Sequence, residues 1–214
     1  MKFVASVAAL LCAGTLFAAE PGKPNILVIV ADDLGYSDLC CYGGEIATPH
    51  LDGLAKGGLR FGQFYNTARC WPSRAAILTG YYAQQVRRDS VPGIKSGAQG
   101  VRPEWARLLP EMLKPLGYRS YHSGKWHVDG KPLDNGFDHS YSLDDHDRHF
   151  APKAHSEDGK LLPAGKEGYY SSTAIAEHAV KCLKEHAEKH ASKPFFEYLA
   201  FTRSEEHTSE LQSR

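Results

Sequence analysis

The sequence predicts an α/β fold with a mostly parallel central sheet flanked by helices, and three observations lead to this prediction. Apolar runs of strand length, such as 25–31 and 195–201, are separated by segments with helical spacing, such as 171–190. Such alternation favours a parallel sheet, because each helix returns the chain to the same end of the sheet. Polar or reactive residues follow several predicted strands, and parallel sheets bind ligands beyond the carboxyl ends of their strands. One shared cleft at that end of the sheet would explain why these residues recur there.

The first predicted strand is an uninterrupted apolar run, Asn25-Ile26-Leu27-Val28-Ile29-Val30-Ala31. A continuous run rich in β-branched residues predicts a strand that is buried on both faces of a parallel sheet. The run ends abruptly at Asp32 and Asp33. Two carboxylates are therefore expected just beyond a strand end.

A short helix and a second strand are predicted next. Thr48 and Pro49 have the preferences of a helix start, and the glycines at 57–58 end the pattern. Residues 59–65 then have the composition of a strand. This strand would deliver Cys70 to the same edge of the sheet.

Pro72 predicts that a helix begins directly after Cys70. Proline is favoured at the first helical position, where Ser73 could satisfy free backbone donors, and the amide groups of the helix would face Cys70. Arg74 lies four residues after Cys70 and offers a fixed fork of donors to a tetrahedral oxyanion. The pattern predicts an anion site with a reactive side chain at its mouth. A buried cysteine ahead of an ordinary surface helix is the alternative.

A third pair of predicted elements, a helix followed by a strand, places further polar residues at a strand end. Residues 103–116 have helical spacing, although two interior prolines predict a break or kink. Residues 118–122 are extended and aromatic and lead to Lys125 and His127. The clearest helical pattern is 171–190, with one apolar face. Residues 128–170 are polar and rich in histidine, which predicts a solvated lid or rim loop and no second metal site.

Composition excludes several classes of function. Among 214 residues, Lys and Arg total 25 and Asp and Glu total 25, so no net charge attracts nucleic acid or a membrane surface. A small anionic substrate would be held by local charges. Apart from Cys12, four cysteines remain, without a C-x-x-C pair, which argues against a zinc knot or a disulfide scaffold.

Residues 1–19 have the pattern of a secretory signal peptide. Lys2 precedes an apolar run of limited length, with cleavage expected near Ala18 or Ala19. The mature protein is then expected to be periplasmic or secreted, without stable membrane insertion. A buried N-terminal strand or a membrane anchor is the alternative.

Taken together, the motifs resemble the sulfatase family within the alkaline phosphatase superfamily. The matching residues are Asp32-Asp33-Leu34-Gly35, Cys70-Trp71-Pro72-Ser73-Arg74 with Leu78-Thr79-Gly80, and Gly124-Lys125-Trp126-His127. They occur in the family's order between about Pro24 and Thr202. The resemblance implies an alkaline-phosphatase-like α/β fold, of which 24–202 would be the N-terminal part of a sulfatase catalytic domain.

The resemblance also implies that Cys70 is oxidised to formylglycine by a formylglycine-generating or equivalent maturation enzyme. One hydroxyl of the hydrated aldehyde would attack sulfur and expel the alcohol, and deprotonation of the other would release sulfate. The oxygen of the modified side chain would also bind Ca²⁺. An ordinary serine would instead remain esterified.

Roles for five other residues follow from the same resemblance. Asp32 and Asp33 would supply hard oxygen ligands to Ca²⁺. Arg74 would hold the aldehyde hydrate, Lys125 would bind a sulfate oxygen, and His127 would bind sulfate and assist proton removal. Arg69 and Asn66 are candidates for residues that support the site. Trp71 is a large side chain for the position that follows the cysteine.

The chain departs from the family pattern after Thr202. Residues 203–214 lose apolar periodicity and resemble the translation of a common sequencing adapter, which predicts a non-native tail on a truncated protein. A genuine polar tail is the alternative. The family's later metal and sulfate ligands would be missing, so we expect this chain to be catalytically impaired.

Other functions remain open on the residues alone. A phosphatase or phosphodiesterase of the same superfamily would bind a similar dianion and metal, but such relatives use serine or threonine as the nucleophile. A non-catalytic binder of sulfated glycans would keep the pocket without the chemistry. A cysteine hydrolase is a weaker option, because no histidine is placed by local sequence to activate the thiolate of Cys70.

Overall fold

A computed structural model of the chain describes residues 22–67, 69–89, 101–145, 148–165 and 167–202. The signal peptide predicted at 1–19 and the non-native tail predicted at 203–214 lie outside these ranges, so both remain predictions. Within the part of the chain that the structure describes, no helix is long and apolar enough to span a membrane.

The described residues form a mixed six-stranded sheet with the order β1-β6-β2-β3-β4-β5. Its strands are β1 (Ile26–Val30), β2 (Arg119–Gly124), β3 (His139–Leu143), β4 (His155–Glu157), β5 (Lys160–Leu161) and β6 (Phe195–Ala200). The strands β1, β6, β2 and β3 are parallel, and β4 and β5 add antiparallel strands at one side. The predicted α/β architecture is confirmed.

The described α-helices are α1 (Pro49–Gly57), α2 (Cys70–Thr79), α3 (Leu109–Leu113) and α4 (Ser171–Lys189), of which α2, α3 and α4 pack against the sheet. The long helix α4 matches the prediction at 171–190 and packs Ile175 and Ala179 against the sheet. Alternate residues of β6 face two cores, because side chains of a strand alternate between its faces. Phe196 and Tyr198 belong to the core that includes Leu78 of α2, and Leu199 belongs to the core under α4.

Two strand predictions at the start of the chain were wrong. In β1 burial alternates, and Leu27 and Ile29 are each 47% exposed, so this strand is not buried on both faces. Among the described strands β1 ends the sheet order, and helix α4 packs mainly against β2, β3 and β6, which leaves the Leu27 and Ile29 side of β1 less covered. Residues 59–65 form no strand. Residues with strand preferences form a strand only where a neighbouring strand and a packing surface are available.

The helix predicted at 103–116 is much shorter. It begins at Leu109 because Pro110 fits the first turn, where its missing N–H is not needed. Lys114–Leu116, which contains Pro115, continues as a single 3₁₀ turn. The prolines therefore set the start and the end of α3.

The prediction of a solvated lid at 128–170 was also wrong, because this segment supplies β3, β4 and β5. Some of its polar side chains are buried and hydrogen-bonded, whereas most of its described residues between 148 and 170 are exposed or half-buried. The Tyr141 hydroxyl lies 3.1 Å from Nδ1 of His155, and the Ser140 hydroxyl lies 2.9 Å from Nδ1 of His122. At these positions the polar side chains are part of a hydrogen-bonded interior.

Candidate functional site

The parallel strands bring two of the predicted motifs to one edge of the sheet. Ala200 of β6 is in register with Val30 of β1 on one side and with Gly124 of β2 on the other. Asp32 and Lys125, which follow these strands, therefore leave the sheet at the same level. Nζ of Lys125 lies 2.5 Å from Oδ2 of Asp32, and both side chains are largely buried.

Arg74 joins the same cluster from helix α2. Its side chain is 1% exposed and donates hydrogen bonds to the carbonyl oxygens of Lys125 at 2.7 Å and Phe201 at 3.2 Å. Its Nη2 lies 3.5 Å from Oδ1 of Asp32. One buried carboxylate is thus shared by two cations, which repays part of the cost of removing all three charges from water.

Gly124 is required where β2 ends and the Lys125 motif begins. Its φ of +116° lies in a region that side-chain-bearing residues rarely adopt. A Cβ at this position would also collide with the carbonyl oxygen of Ala200, which accepts a hydrogen bond from the Lys125 amide at 2.9 Å. The close approach of β2 and β6 therefore fixes where Lys125 starts.

Cys70 is the first residue of α2 and is partly exposed. The prediction that Pro72 begins the helix was wrong, because the helix starts two residues earlier. The Ser73 hydroxyl lies 2.8 Å from Oγ1 of Thr67, and the structure gives the helix no side-chain cap. Arg74 is still one turn after Cys70, so the helix carries both residues on one face, and Arg74 contacts Asp32.

His127 has a left-handed backbone, with φ of 52°. Its ring lies against Trp71, with 5.3 Å between centroids and an interplanar angle of 75°. Nη2 of Arg88 lies 3.5 Å from the carbonyl oxygen of His127, and Nε of Arg88 lies 3.9 Å from Oδ1 of Asp129. Neither Arg88 nor Asp129 was predicted from the sequence as part of the site. The one signal in the sequence is Asp129 itself, an acidic residue two positions after His127 that would pair with a basic residue such as Arg88.

Below the cluster, His122 is fully buried and stacks against Tyr198 with 6.0 Å between ring centroids. Burial, assisted by the charge of Arg74, lowers the pKa of His122 to about 3. Burial also raises the pKa of the Tyr198 hydroxyl. Both groups are therefore neutral near pH 7, and His122 is a structural histidine beneath the site.

The carboxylates of Asp32 and Asp33 are the hard oxygen donors that Ca²⁺ prefers. Asp33 is exposed and has a left-handed backbone with φ of 56°, whereas Asp32 is buried and paired with Lys125 and Arg74. Across the described ranges, no three His, Cys, Asp or Glu side chains gather in a way that could hold a metal ion. The donors fit calcium in kind but are too few to complete its usual shell of six to eight oxygens.

Comparison with known proteins agrees with this arrangement. The family model described as Sulfatase matches residues 24–210. An arylsulfatase of Klebsiella aerogenes is 31% identical over 94% of this chain and 47% of its own length. A crystal structure of Ps i-CgsB in complex with k-i-k-neocarrahexaose superposes with a TM-score of 0.71 and 30% identity over 87% of this chain and 46% of that one.

Another solved structure holds D-glucosamine-2-N,6-O-disulfate, described as that protein's substrate. It superposes with a TM-score of 0.63 and 28% identity, covering 84% of this chain and 34% of the other. The chain therefore spans less than half the length of each of these three proteins.

Proposed function

Because the chain belongs to the sulfatase family, we propose that it supplies the nucleophile-bearing part of an enzyme that hydrolyses sulfate monoesters. The observation that carries the proposal is the buried cluster of Asp32, Arg74 and Lys125, one helical turn from Cys70. It places two cations and their shared carboxylate at the end of the sheet, and Arg74 lies one helical turn from the partly exposed Cys70. Activity, substrates and partners of the whole protein are part of the proposal, because the chain spans less than half of its relatives.

Cys70 is the proposed site of conversion to formylglycine by a maturation enzyme. When present, the hydrated aldehyde supplies a hydroxyl that attacks sulfur and a second hydroxyl whose deprotonation releases the product. Support comes from the C-x-P-S-R sequence and from the place of Cys70 at the N-terminus of α2, where helix amides favour an anion. Cys182, by contrast, is buried, and burial raises the pKa of its thiol to about 12.

Lys125 and Arg74 are proposed to stabilise negative charge on the sulfate group. Arg74 is held by the two backbone carbonyls and Asp32, so its charge is fixed before substrate binds. In this role Arg74 would also hold the aldehyde hydrate from one turn along α2. Fixed charges in a site with little water stabilise a developing oxyanion without further reorganisation.

His127 is proposed to contact sulfate and to remove a proton from the modified Cys70. Its place beyond β2 and the contact of its ring with Trp71, in the first turn of the helix that begins with Cys70, support this role. A positioned imidazole is a common proton acceptor near pH 7.

Asp32, Asp33 and the oxidised Cys70 are proposed to form part of a Ca²⁺ site. A bound cation would polarise the sulfate ester and help to neutralise its charge. The shortage of donors among the described residues supports the expectation that this chain is catalytically impaired. We also propose that 1–19 is a signal peptide, that 203–214 is non-native, and that the mature protein is periplasmic or secreted.

The proposed substrate is an aryl sulfate or a sulfated carbohydrate. The name of the Klebsiella aerogenes relative supports the first, and the saccharides bound in the two solved structures support the second.

The test compares an aryl sulfate with the matching aryl phosphate, using the chain expressed together with a formylglycine-generating enzyme. We expect slow turnover that favours the sulfate and is lost in Cys70→Ala. Faster turnover of the phosphate would instead support a phosphatase of the same superfamily. Hydrolysis at ordinary sulfatase rates would refute the expected impairment while supporting the reaction itself.

A further inference from the structure

His127 needs support from its surroundings to keep its conformation. It is one of four described residues other than glycine with positive φ, and such a conformation persists only where neighbouring groups hold it. Arg88 contacts its backbone carbonyl oxygen at 3.5 Å, which restrains the main chain. Restraint of the main chain does not by itself fix the direction of the imidazole ring.

Trp71 provides a restraint on that ring. The imidazole and the indole meet nearly edge to face, with 5.3 Å between centroids and an angle of 75° between planes. This is a favourable geometry for two aromatic groups, because the positive edge of one ring lies against the negative face of the other. The contact joins helix α2, which begins with Cys70, to the loop that carries His127.

Trp71 is itself held in place by Arg69. The guanidinium carbon of Arg69 lies 4.0 Å from the centroid of the Trp71 ring, within the range of a cation–π interaction. Arg69 is also the residue that precedes the first turn of α2, and its carbonyl oxygen accepts a hydrogen bond from the Ser73 amide at 3.2 Å. The indole is therefore anchored to the same helix start as Cys70.

We propose that Trp71 is a positioning residue that orients the imidazole of His127 toward the side chain at position 70. The inference rests on the proposed function, in which His127 contacts sulfate and acts on the modified Cys70. Trp71 itself touches no reacting atom in this scheme. Its contribution is to set the distance and direction between two groups on separate elements, on which the efficiency of proton transfer depends.

Histidine side-chain NMR tests the ring contact on which the orientation depends, with the signals of His127 identified by their loss in His127→Asn. In the unaltered chain these signals should be displaced by the ring current of the indole. Trp71→Leu should remove the displacement, whereas Trp71→Phe should retain part of it because an aromatic ring remains. Trp105→Leu is the matched control, since Trp105 is 58% exposed and lies against Tyr81. The buried His122 and His186 report whether the fold is intact.

Arg69→Met extends the test if Trp71→Leu does not fold. It leaves the indole in place but removes the cation above it, so the displacement of the His127 signals should become smaller. Unchanged His127 signals in Trp71→Leu, or in Arg69→Met where Trp71→Leu is unfolded, would overturn the proposal.

Binding of inorganic sulfate separates this inference from the proposed function. We expect Trp71→Leu to weaken binding by about threefold to tenfold, the change expected from loss of one aromatic pair, and Trp71→Phe to restore most of it. Equal sulfate affinity in all three proteins would show that the orientation has no consequence at the site and would overturn the positioning role. A chain that shows the ring-current displacement but binds no sulfate would contradict the sulfate-binding role proposed for His127 and Lys125 in this chain, and would leave the contact between Trp71 and His127 supported.

Discussion

The ammonium group of Lys125 lies 2.5 Å from a carboxylate oxygen of Asp32, across the end of strand β6. Ninety-three positions separate the two residues in the chain, and they meet because β1 and β2 both pair with β6 in parallel register. Arg74 reaches the other oxygen of Asp32 from helix α2. A single carboxylate therefore connects two strand ends and the helix that carries Cys70.

Replacing Asp32 should destabilise the fold. Asp32→Asn keeps the shape of the side chain but leaves Lys125 and Arg74 without their buried counter-charge, at a cost of about 3 kcal/mol. Urea unfolding measures this as a lower midpoint. Asp33→Asn is the matched control and should change stability by less than about 0.5 kcal/mol, because Asp33 is exposed and asparagine tolerates its left-handed backbone. Equal losses in the two variants would contradict the importance of the shared carboxylate.

Cys70 should be converted to an aldehyde in a host that has a formylglycine-generating enzyme. The modification requires a recognised sequence motif and an accessible thiol. Cys70 has both, because it begins the C-x-P-S-R motif and is partly exposed. Peptide mass mapping detects the change, and Cys182 in the same sample should keep its thiol because it is buried outside the motif. An unmodified Cys70 in a competent host would favour the non-catalytic glycan binder.

Stability should fall as pH rises through the titration of Glu197. Burial raises the pKa of Glu197 from 4.5 to about 7, although its Oε1 accepts a 2.9 Å hydrogen bond from Ser123. The unfolded chain therefore loses its proton at lower pH than the folded protein does. The stability contributed by the protonated carboxyl is complete below pH 4.5 and declines as pH rises to about 7, by at most about 3 kcal/mol.

Glu197→Gln isolates this effect, because the amide keeps the size of the carboxyl and cannot ionise. His178 contacts Ser123 at 2.8 Å, and burial lowers its pKa to about 4, so it remains neutral in the folded protein over this range. Its contribution is common to both proteins and cancels in the comparison. Urea midpoints of the two proteins should diverge as pH rises. Parallel curves would mean that Glu197 titrates normally.

Gly124→Ala should destabilise the protein and displace Lys125. The added methyl group requires a strained φ and collides with the Ala200 carbonyl oxygen, at a cost of more than about 2 kcal/mol. Gly57→Ala is a suitable control, because Gly57 lies in α1 with open space around the added Cβ and should tolerate alanine. Thermal unfolding compares the two variants, and similar melting temperatures would show that β2 and β6 can separate at little cost.

The sequence predicted the structure best where a local pattern is sufficient to determine an element. Helix α4 was predicted nearly to the residue because an amphipathic face of five turns depends little on its surroundings. Prediction was wrong at 59–65 and 128–170, where the outcome depends on partners elsewhere in the chain. Polar residues such as Ser140 and His155 are buried because other side chains satisfy them, and single-sequence composition does not show such pairing.

The sequence alone determined the fold class, the family resemblance and the set of candidate residues, because these follow from local periodicity and from motifs of fixed spacing. Only the tertiary structure decided that Asp32 is shared by Lys125 and Arg74 and that the ring of His127 lies on Trp71. The physical reason is that such contacts form between distant segments. Strand register and helix docking set their distances, and neither is encoded within one segment.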